Sequence, residues 1–409
     1  MKVQLKINKG YKKTPVGFIP KEWDVFRLGD ICSHFKSGFG ITSENIFDKG
    51  KYPVFGGNGL RGFTDSYTHD GKFVLIGRQG ALCGNIQVVS GKVYISEHAI
   101  AVQTDIDNDT IYLAYKLYHK NLNRLSESSA QPGLAVSKLL RLKIDMPPLP
   151  EQQKIAEILT TWDEAIRITQ ESIVGVKKRN KGLAQELLTG TRRLFGFRNT
   201  DDFKRTRLGL EIPEDWSIAC IGEVFNERNE KSCDLEKYPL YSLTIDEGIT
   251  EKTERYERSF LLKDSAKNMY KVAHKDDIVF NPMNLRFGAI AKSNIGFKVT
   301  LSAYYNVVFS NSDSINVGFF ERLFKTERFI NLYERIAIGS LIEKKRVHLS
   351  NFLKIEIGIP PIEEQNEIAI ILEKSDLELR LMYSKLESLQ QQKKGLMQKL
   401  LTGQIRVNI

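Results

Sequence analysis

Four cysteines in 409 residues, Cys32, Cys83, Cys220 and Cys233, show no Cys-x-x-Cys spacing, and the six histidines do not fall beside them in metal-ligand patterns. This argues against a disulfide framework or a zinc module and leaves free thiols, as expected of a cytoplasmic chain. No apolar run reaches the ~18 residues of a membrane span. The charged start Met1-Lys2-Val3-Gln4-Leu5-Lys6 leads into no signal-peptide core, so no membrane contact is expected. Catalytic signatures are missing as well. No Gly-x-Gly-x-x-Gly follows a strand, there is no Walker-type phosphate loop, and no Ser, His and Asp set stands out. Asn281-Pro282-Met283 begins like the Asn-Pro-Pro-Tyr site of amino-methylating DNA methyltransferases but lacks the second proline and the stacking aromatic. The chain is therefore expected to be no enzyme and to bind no metal or cofactor of its own. Acidic residues are the minority, 50 against 60 basic ones, for a net charge of +10. That balance favours a polyanionic partner such as nucleic acid.

What is present is a repeat. Pro147-Pro148-Leu149-Pro150-Glu151-Gln152 returns as Pro360-Pro361-Ile362-Glu363-Glu364-Gln365, an offset of 360 − 147 = 213. The same offset carries Leu187-Leu188-Thr189-Gly190 onto Leu400-Leu401-Thr402-Gly403. The stretch between these landmarks is thus the same length in both copies. A looser correspondence opens each copy: Lys13-Thr14-Pro15-Val16-Gly17 with Arg205-Thr206-Arg207-Leu208-Gly209, then Ile19-Pro20-Lys21-Glu22-Trp23 with Ile212-Pro213-Glu214-Asp215-Trp216. This second offset is 216 − 23 = 193, so the second copy gains 20 residues between its opening and its prolines. A period this long means two copies of a whole module, with approximate two-fold symmetry inside one chain. The chain is long enough for two domains of about 130–150 residues, each with its own core.

The equal-length stretches read as helices. Ile155, Leu159, Trp162, Ile166, Ile173, Val176, Leu183 and Leu187 follow alternating steps of four and three, with Thr169 and Asn180 in two polar slots. In the second copy the track is Ile368, Leu372, Leu379, Met382, Leu386, Leu389, Leu396 and Leu400, with Ser375 and Lys393 as polar slots. This is a coiled-coil seam, opened by prolines and closed by a glycine suited to a left-handed cap. Each helix of ~38 residues spans ~57 Å. A parallel pair would stretch the linker Thr191–Thr206 close to its limit of ~53 Å, so an antiparallel pair with the globular domains at opposite ends is expected. Off the seam, Gln152, Gln153, Lys177, Lys178, Arg179 and Lys181 read as solvated or partner-facing. The resulting division is a first domain over 1–146, a first helix over 147–190, a linker and second domain over 191–359, and a second helix and tail over 360–409.

Both globular parts alternate short β-rich runs with glycine and asparagine turns before an amphipathic helix, an α+β pattern without regular βαβ units. Lys72–Ile76 and Lys92–Ile95 read as strands and Ile111–Leu122 as a helix; in the second part, Asp277–Phe280 and Val307–Phe309 read as strands and Phe319–Ile336 as one helix. The loops Phe55-Gly56-Gly57-Asn58-Gly59-Leu60-Arg61-Gly62 and Gly77-Arg78-Gln79-Gly80 combine glycines, which allow close backbone approach, with side chains able to grip base edges. The DNA-contact candidates there are Gly57, Asn58, Gly59, Arg61, Arg78 and Gln79. In the second part they are Asn281, Met283, Asn284 and Arg286, followed by Ser302, Tyr304 and Tyr305. Ordinary polar hairpin turns are the competing reading of the same residues.

The duplicated openings, the Pro-Pro-x-x-Glu-Gln segments, the Leu-Leu-Thr-Gly endings and the glycine loops together resemble the specificity subunits of Type I restriction-modification systems. The resemblance covers nearly the whole chain. It implies two target-recognition domains separated by a pair of long antiparallel coiled-coil helices, each domain reading one half of an asymmetric, split site in double-stranded DNA. It further implies two DNA methyltransferase subunits as partners, restriction subunits joining them, and S-adenosylmethionine bound by the methyltransferase subunits. The alternatives are a stand-alone DNA-binding regulator and a specificity subunit of another restriction-modification architecture. A fusion carrying its own methyltransferase would need motifs the sequence lacks.

Overall fold

The computed structural model describes residues 10–80, 82–126, 133–251, 269–341 and 345–408. The charged start Met1–Lys6 lies outside them. The chain divides into two compact units, Met1–Ser172 with Tyr383–Ile409, and Ile173–Met382. Each unit therefore draws on both long helices.

Those helices run Leu149–Thr189 and Ile362–Leu401, starting 213 residues apart. All ten seam positions of each, polar slots included, are buried or half-buried. Gly190 and Gly403 close them at φ 73° and 70°, the left-handed conformation expected of a glycine cap. Within each unit the two helix segments are antiparallel. In the first, Asp163 pairs with Lys393, while Ile155 and Leu159 share a cluster with Met397 and Leu400. In the second, Arg179 pairs with Glu378, and Asn180 donates to the Ser375 carbonyl at 2.9 Å, one polar slot answering another.

The first unit is built on a six-stranded sheet in the spatial order Cys32–Ser37, Ala99–Thr104, His69–Gly77, Ile86–Ile95, Tyr52–Gly56, Gly59–Thr64. Only the pairing of Tyr52–Gly56 with Ile86–Ile95 is parallel. Side chains alternate across the central strands. Val74, Ile76, Ile100 and Val102 pack on the helix Thr110–Lys120 and the long helices, while Phe73, Leu75 and Ala101 form a separate cluster on the other face. The second unit carries smaller sheets: Asn226–Glu227, Asn306–Phe309, Ile278–Phe280 and Ile290–Lys292 in one, and Lys231–Ser232, Tyr270–Ala273 and Val299–Leu301 in another.

The expected helix Phe319–Ile336 is two, Val317–Phe324 and Glu327–Ile336. Thr326 turns its hydroxyl back onto the Leu323 carbonyl at 2.7 Å and takes an extended ψ of 149°, starting a new helix. The bend sends Phe324 and Phe329 into the same core, with ring centroids 5.5 Å apart.

Both modules repeat one frame. The opening hairpins Tyr11–Thr14/Gly17–Pro20 and Phe203–Arg205/Glu211–Pro213 lead into strands that pair with the one just before each long helix: Asp24–Arg27 with Lys143–Met146, and Ser217–Cys220 with Glu356–Ile359. The glutamate of each Pro-Pro-x-x-Glu-Gln is fully buried. Glu151 accepts from the Trp23 indole at 3.1 Å and from Arg406 at 2.6 and 2.8 Å. Glu364 accepts from the Trp216 indole at 3.1 Å and from Arg193 at 2.7 and 3.0 Å. Arg193 and Arg406 are themselves 213 residues apart, each just beyond a Leu-Leu-Thr-Gly. The arginine thus comes from the end of one long helix and the glutamate from the start of the other. A Cβ on Gly190 would lie 2.3 Å from Pro213, and one on Gly403 would lie 2.4 Å from Pro20, so each helix end seats against an Ile-Pro-x-x-Trp opening.

Gln152 corrects the sequence reading. It is 1% exposed rather than solvated or partner-facing. Its Oε1 accepts from the Asp109 amide at 2.8 Å and its Nε2 donates to the Pro147 carbonyl at 2.9 Å; Gln365 repeats this with the Asn316 amide and the Pro360 carbonyl, both at 2.8 Å. Asp109 and Asn316 are the N-caps of Thr110–Lys120 and Val317–Phe324. A heptad pattern cannot reveal this, because the partners lie 43 and 49 residues away.

Candidate nucleic-acid interface

In the first unit the two glycine loops meet at one rim of the six-stranded sheet. The turn at Gly57 and Asn58 joins the last two strands, and Arg78 follows directly on the strand His69–Gly77. A Cβ on Gly57 would stand 2.7 Å from the His98 carbonyl oxygen and 3.1 Å from the Gly77 Cα. One on Gly77 would stand 2.9 Å from the Gly57 oxygen, so the approach needs glycine on both sides. The Arg78 amide donates to that same His98 carbonyl at 2.9 Å. Three segments converge here: the strand ends and turn of 56–61, residues 77–80, and the turn 96–98.

Gly57 and Gly59 are half-buried, and Gly59 has φ 110°. Asn58 and Gln79 are exposed, Arg61 is exposed, and Arg78 is half-buried. The Arg61 stem lies against Gly56, where a Cβ would meet its Cδ at 2.9 Å. None of the Asn58, Arg61, Arg78 or Gln79 side chains has a hydrogen-bond or ion-pair partner among the described residues. Two cationic and two amide side chains thus stand free on a rim whose backbones are locked together. Gln87, whose amide faces Gly59, and the neighbours Glu97 and His98 join this rim without having been marked by any sequence motif. A short polar break between the apolar strands Ile86–Ile95 and Ala99–Thr104 was the only available sign of Glu97 and His98.

The second unit also brings its two candidate segments together. Phe280 pairs with Asn306, so Asn281–Gly288 leaves the end of one strand where Ser302–Tyr305 enters the next. The side chains then part company. Met283, Asn284 and Tyr304 are exposed, Tyr304 to 84%. Tyr305 turns inward onto the core of Ala273, Val279, Val299, Leu301 and Val307, and burial pushes its hydroxyl above the usual tyrosine range. Asn281 accepts from the Met283 amide at 3.0 Å, and Ser302 Oγ accepts from the Tyr304 amide at 3.4 Å, so both shape turns. Arg286 donates to Glu334 at 3.1 Å and lies 4.5 Å from the Phe287 ring centroid, its side chain 9% exposed. The outward group here is aromatic, apolar and amide, unlike the arginine-bearing rim of the first unit.

A model of the Type I restriction modification DNA specificity domain matches residues 20–178 and again residues 213–391. The chain belongs to this family. The two matched stretches start 193 residues apart and end 213 apart, the same two offsets that the openings and the helices show. Over 140 residues the chain is 43% identical to the EcoprrI specificity subunit of Escherichia coli, a match covering 33% of this chain and 35% of that protein. It is 28% identical to the putative MjaX specificity subunit of Methanocaldococcus jannaschii, with 98% of this chain and 97% of that protein covered. The crystal structure of a Type I S subunit from M. genitalium shares the fold at a TM-score of 0.61 over 100% of both chains, with 18% identity. The protein is thus a specificity subunit of the Type I restriction-modification class, with an α+β fold in two modules, each carrying a long helix. No helix among the described residues is long and apolar enough to cross a membrane.

Proposed function

We propose that the two globular parts read the two unlike halves of a split site in double-stranded DNA, while the paired long helices set the distance between the halves. The observation that carries this reading is the pairing of one repeated frame with two different outward surfaces. Glu151 and Glu364, Gln152 and Gln365, Arg406 and Arg193 hold equivalent places, whereas Arg61 and Arg78 on one rim face no counterpart in the Met283, Asn284 and Tyr304 group. Identical frames with unlike readers imply an asymmetric site. Arg61, Arg78, Asn58 and Gln79 are suited to base edges in the major groove, and Tyr304 to stacking or sugar contact. The chain itself performs no chemistry in this reading. It delivers two methyltransferase subunits, which bring S-adenosylmethionine, and the restriction subunits that join them, in the cytoplasm.

The test is to purify the chain with its methyltransferase partners and to map methylation in cells with and without the intact gene. Expected is one bipartite, asymmetric motif methylated only when the gene is intact. A symmetric motif, an uninterrupted one, or no change in methylation overturns the reading.

A further inference from the structure

Each globular part is tied to its long helix at a second point beyond the glutamate and glutamine of the first turn. In the first unit the Tyr115 hydroxyl donates to Asp163 Oδ2 at 2.6 Å, and Lys393 of the second long helix holds the other carboxylate oxygen. In the second unit Arg322 meets Asp376 Oδ2 at 2.7 Å. Asp163 and Asp376 are related by the 213 offset, and Tyr115 and Arg322 each stand six residues after their N-caps, Asp109 and Asn316. The donors differ in chemistry while the acceptor and its place are the same. Burial, then the Asp163 carboxylate, pushes the Tyr115 hydroxyl well above its usual range, so it stays a donor.

The distance between the two ties gives them mechanical meaning. Gln152 and Asp163 are 11 residues apart on one helix, as are Gln365 and Asp376 on the other, which is ~16 Å of helix. Apolar packing of the long helix in the first core extends as far as Leu159, and Asp163 lies one turn beyond it. The shared core and the first-turn ties hold the domain along the first turns of the helix, and a contact ~16 Å farther along resists tilting about them. A pivot that moves the reading rim by ~3.4 Å moves it by one base pair.

We propose that Asp163 and Asp376 are positioning residues, the second fixed point that holds each reading domain at one angle on its helix and so restricts the complex to one separation of half-sites. This rests on the bipartite reading above. The roles of the ties are separable from base recognition, because neither aspartate lies on the candidate reading surfaces.

The experiment uses the complete complex with its methyltransferase partners and two duplex libraries, one varying only the gap between intact half-sites and one varying only the bases at fixed gap. The variants are Tyr115→Phe, which removes a single hydroxyl, and Arg322→Gln. Wild type is expected to use one gap. Each variant is expected to use gaps one pair longer and shorter as well, with unchanged base preferences in both halves. A gap profile as narrow as wild type in both variants overturns the inference, even if their melting temperatures fall. Altered base preferences in the variants overturn it too, since the ties would then shape the reading surface itself. If wild type shows no two-part preference at any gap, the bipartite reading fails, and this inference with it.

Discussion

Lys116 offers the sharpest energetic test, because the two modules solve the same packing problem in opposite ways. The residue is 1% exposed, with its ammonium 2.7 Å from Asp145, 2.6 Å from the Leu401 carbonyl and 5.1 Å from the Trp23 ring centroid. Counting from the N-caps, its equivalent is Leu323; by the 213 offset, the equivalent of Asp145 is Gly358. There a Cβ would come 2.9 Å from Trp216, and Trp216, Leu323 and Gly358 line one small cavity of about 20 Å³. A buried ion pair in one module is leucine and glycine in the other. Lys116→Leu alone strands the Asp145 carboxylate, with Lys120 3.7 Å away as its remaining cation, and should cost about 3–5 kcal/mol. Lys116→Leu with Asp145→Gly copies the second module and removes both charges. Replacing a whole buried pair by apolar packing is often neutral or stabilising, offset here by about 1 kcal/mol for the Leu401 carbonyl and about 1 kcal/mol for glycine in a strand. The double variant should therefore fall within about 2 kcal/mol of wild type.

The same pair predicts a pH dependence. Burial, opposed by Asp145, lowers the Lys116 pKa from 10.5 to about 8. A folded-state pKa below the unfolded value means this group's contribution is fully present above pH 10.5 and is lost as pH falls through about 8. Wild type should therefore gain up to about 2 kcal/mol relative to the double variant between pH 7 and pH 9.5. Urea unfolding followed by fluorescence and by hydrogen exchange of Thr110–Lys120 reads both effects. If the double variant is as damaged as the single one, or if its stability tracks pH as wild type does, the interchange argument is wrong.

Three further outcomes follow from the site and the frame. Arg61→Ala or Arg78→Ala should cost ~1–3 kcal/mol of binding and relax one half-site only, measured by selection from randomised duplexes; equal loss on all sequences would make them phosphate contacts. Replacing about Ser33–Ser137 with the equivalent region of a relative should change one half of the methylated motif and keep the other, read by methylation-aware sequencing. Adding one heptad beside both Ile173 and Leu386 keeps the seam in register and lengthens each helix by ~10 Å, so the preferred gap should grow by about three base pairs. An active double insertion with the original gap would show that the helices do not set the distance.

The sequence alone determined the repeat, the two helices, their ends and their seam. These are matters of period and offset: an apolar residue every three or four positions and a terminal glycine act through neighbours in the chain, so their effect is written locally. The ten seam positions of each helix, the starts after Pro148 and Pro361, and the caps at Gly190 and Gly403 all follow from such local rules. Only the tertiary structure decided what the polar residues do. Arg406 reaches Glu151 across 255 positions, and nothing near either residue announces the other. Gln152 looks like a surface glutamine until the cap of Thr110–Lys120 is brought to it. Tyr304 and Tyr305 are adjacent and alike, yet one faces out and the other into a core, because the turn closed by the Tyr305 amide on the Ser302 carbonyl sets their directions. Arg286 resembles Arg61 and Arg78 in sequence, but Glu334, 48 residues away, occupies it. A buried polar group takes whatever partner the fold supplies, since leaving it unpaired costs more than the bond itself returns.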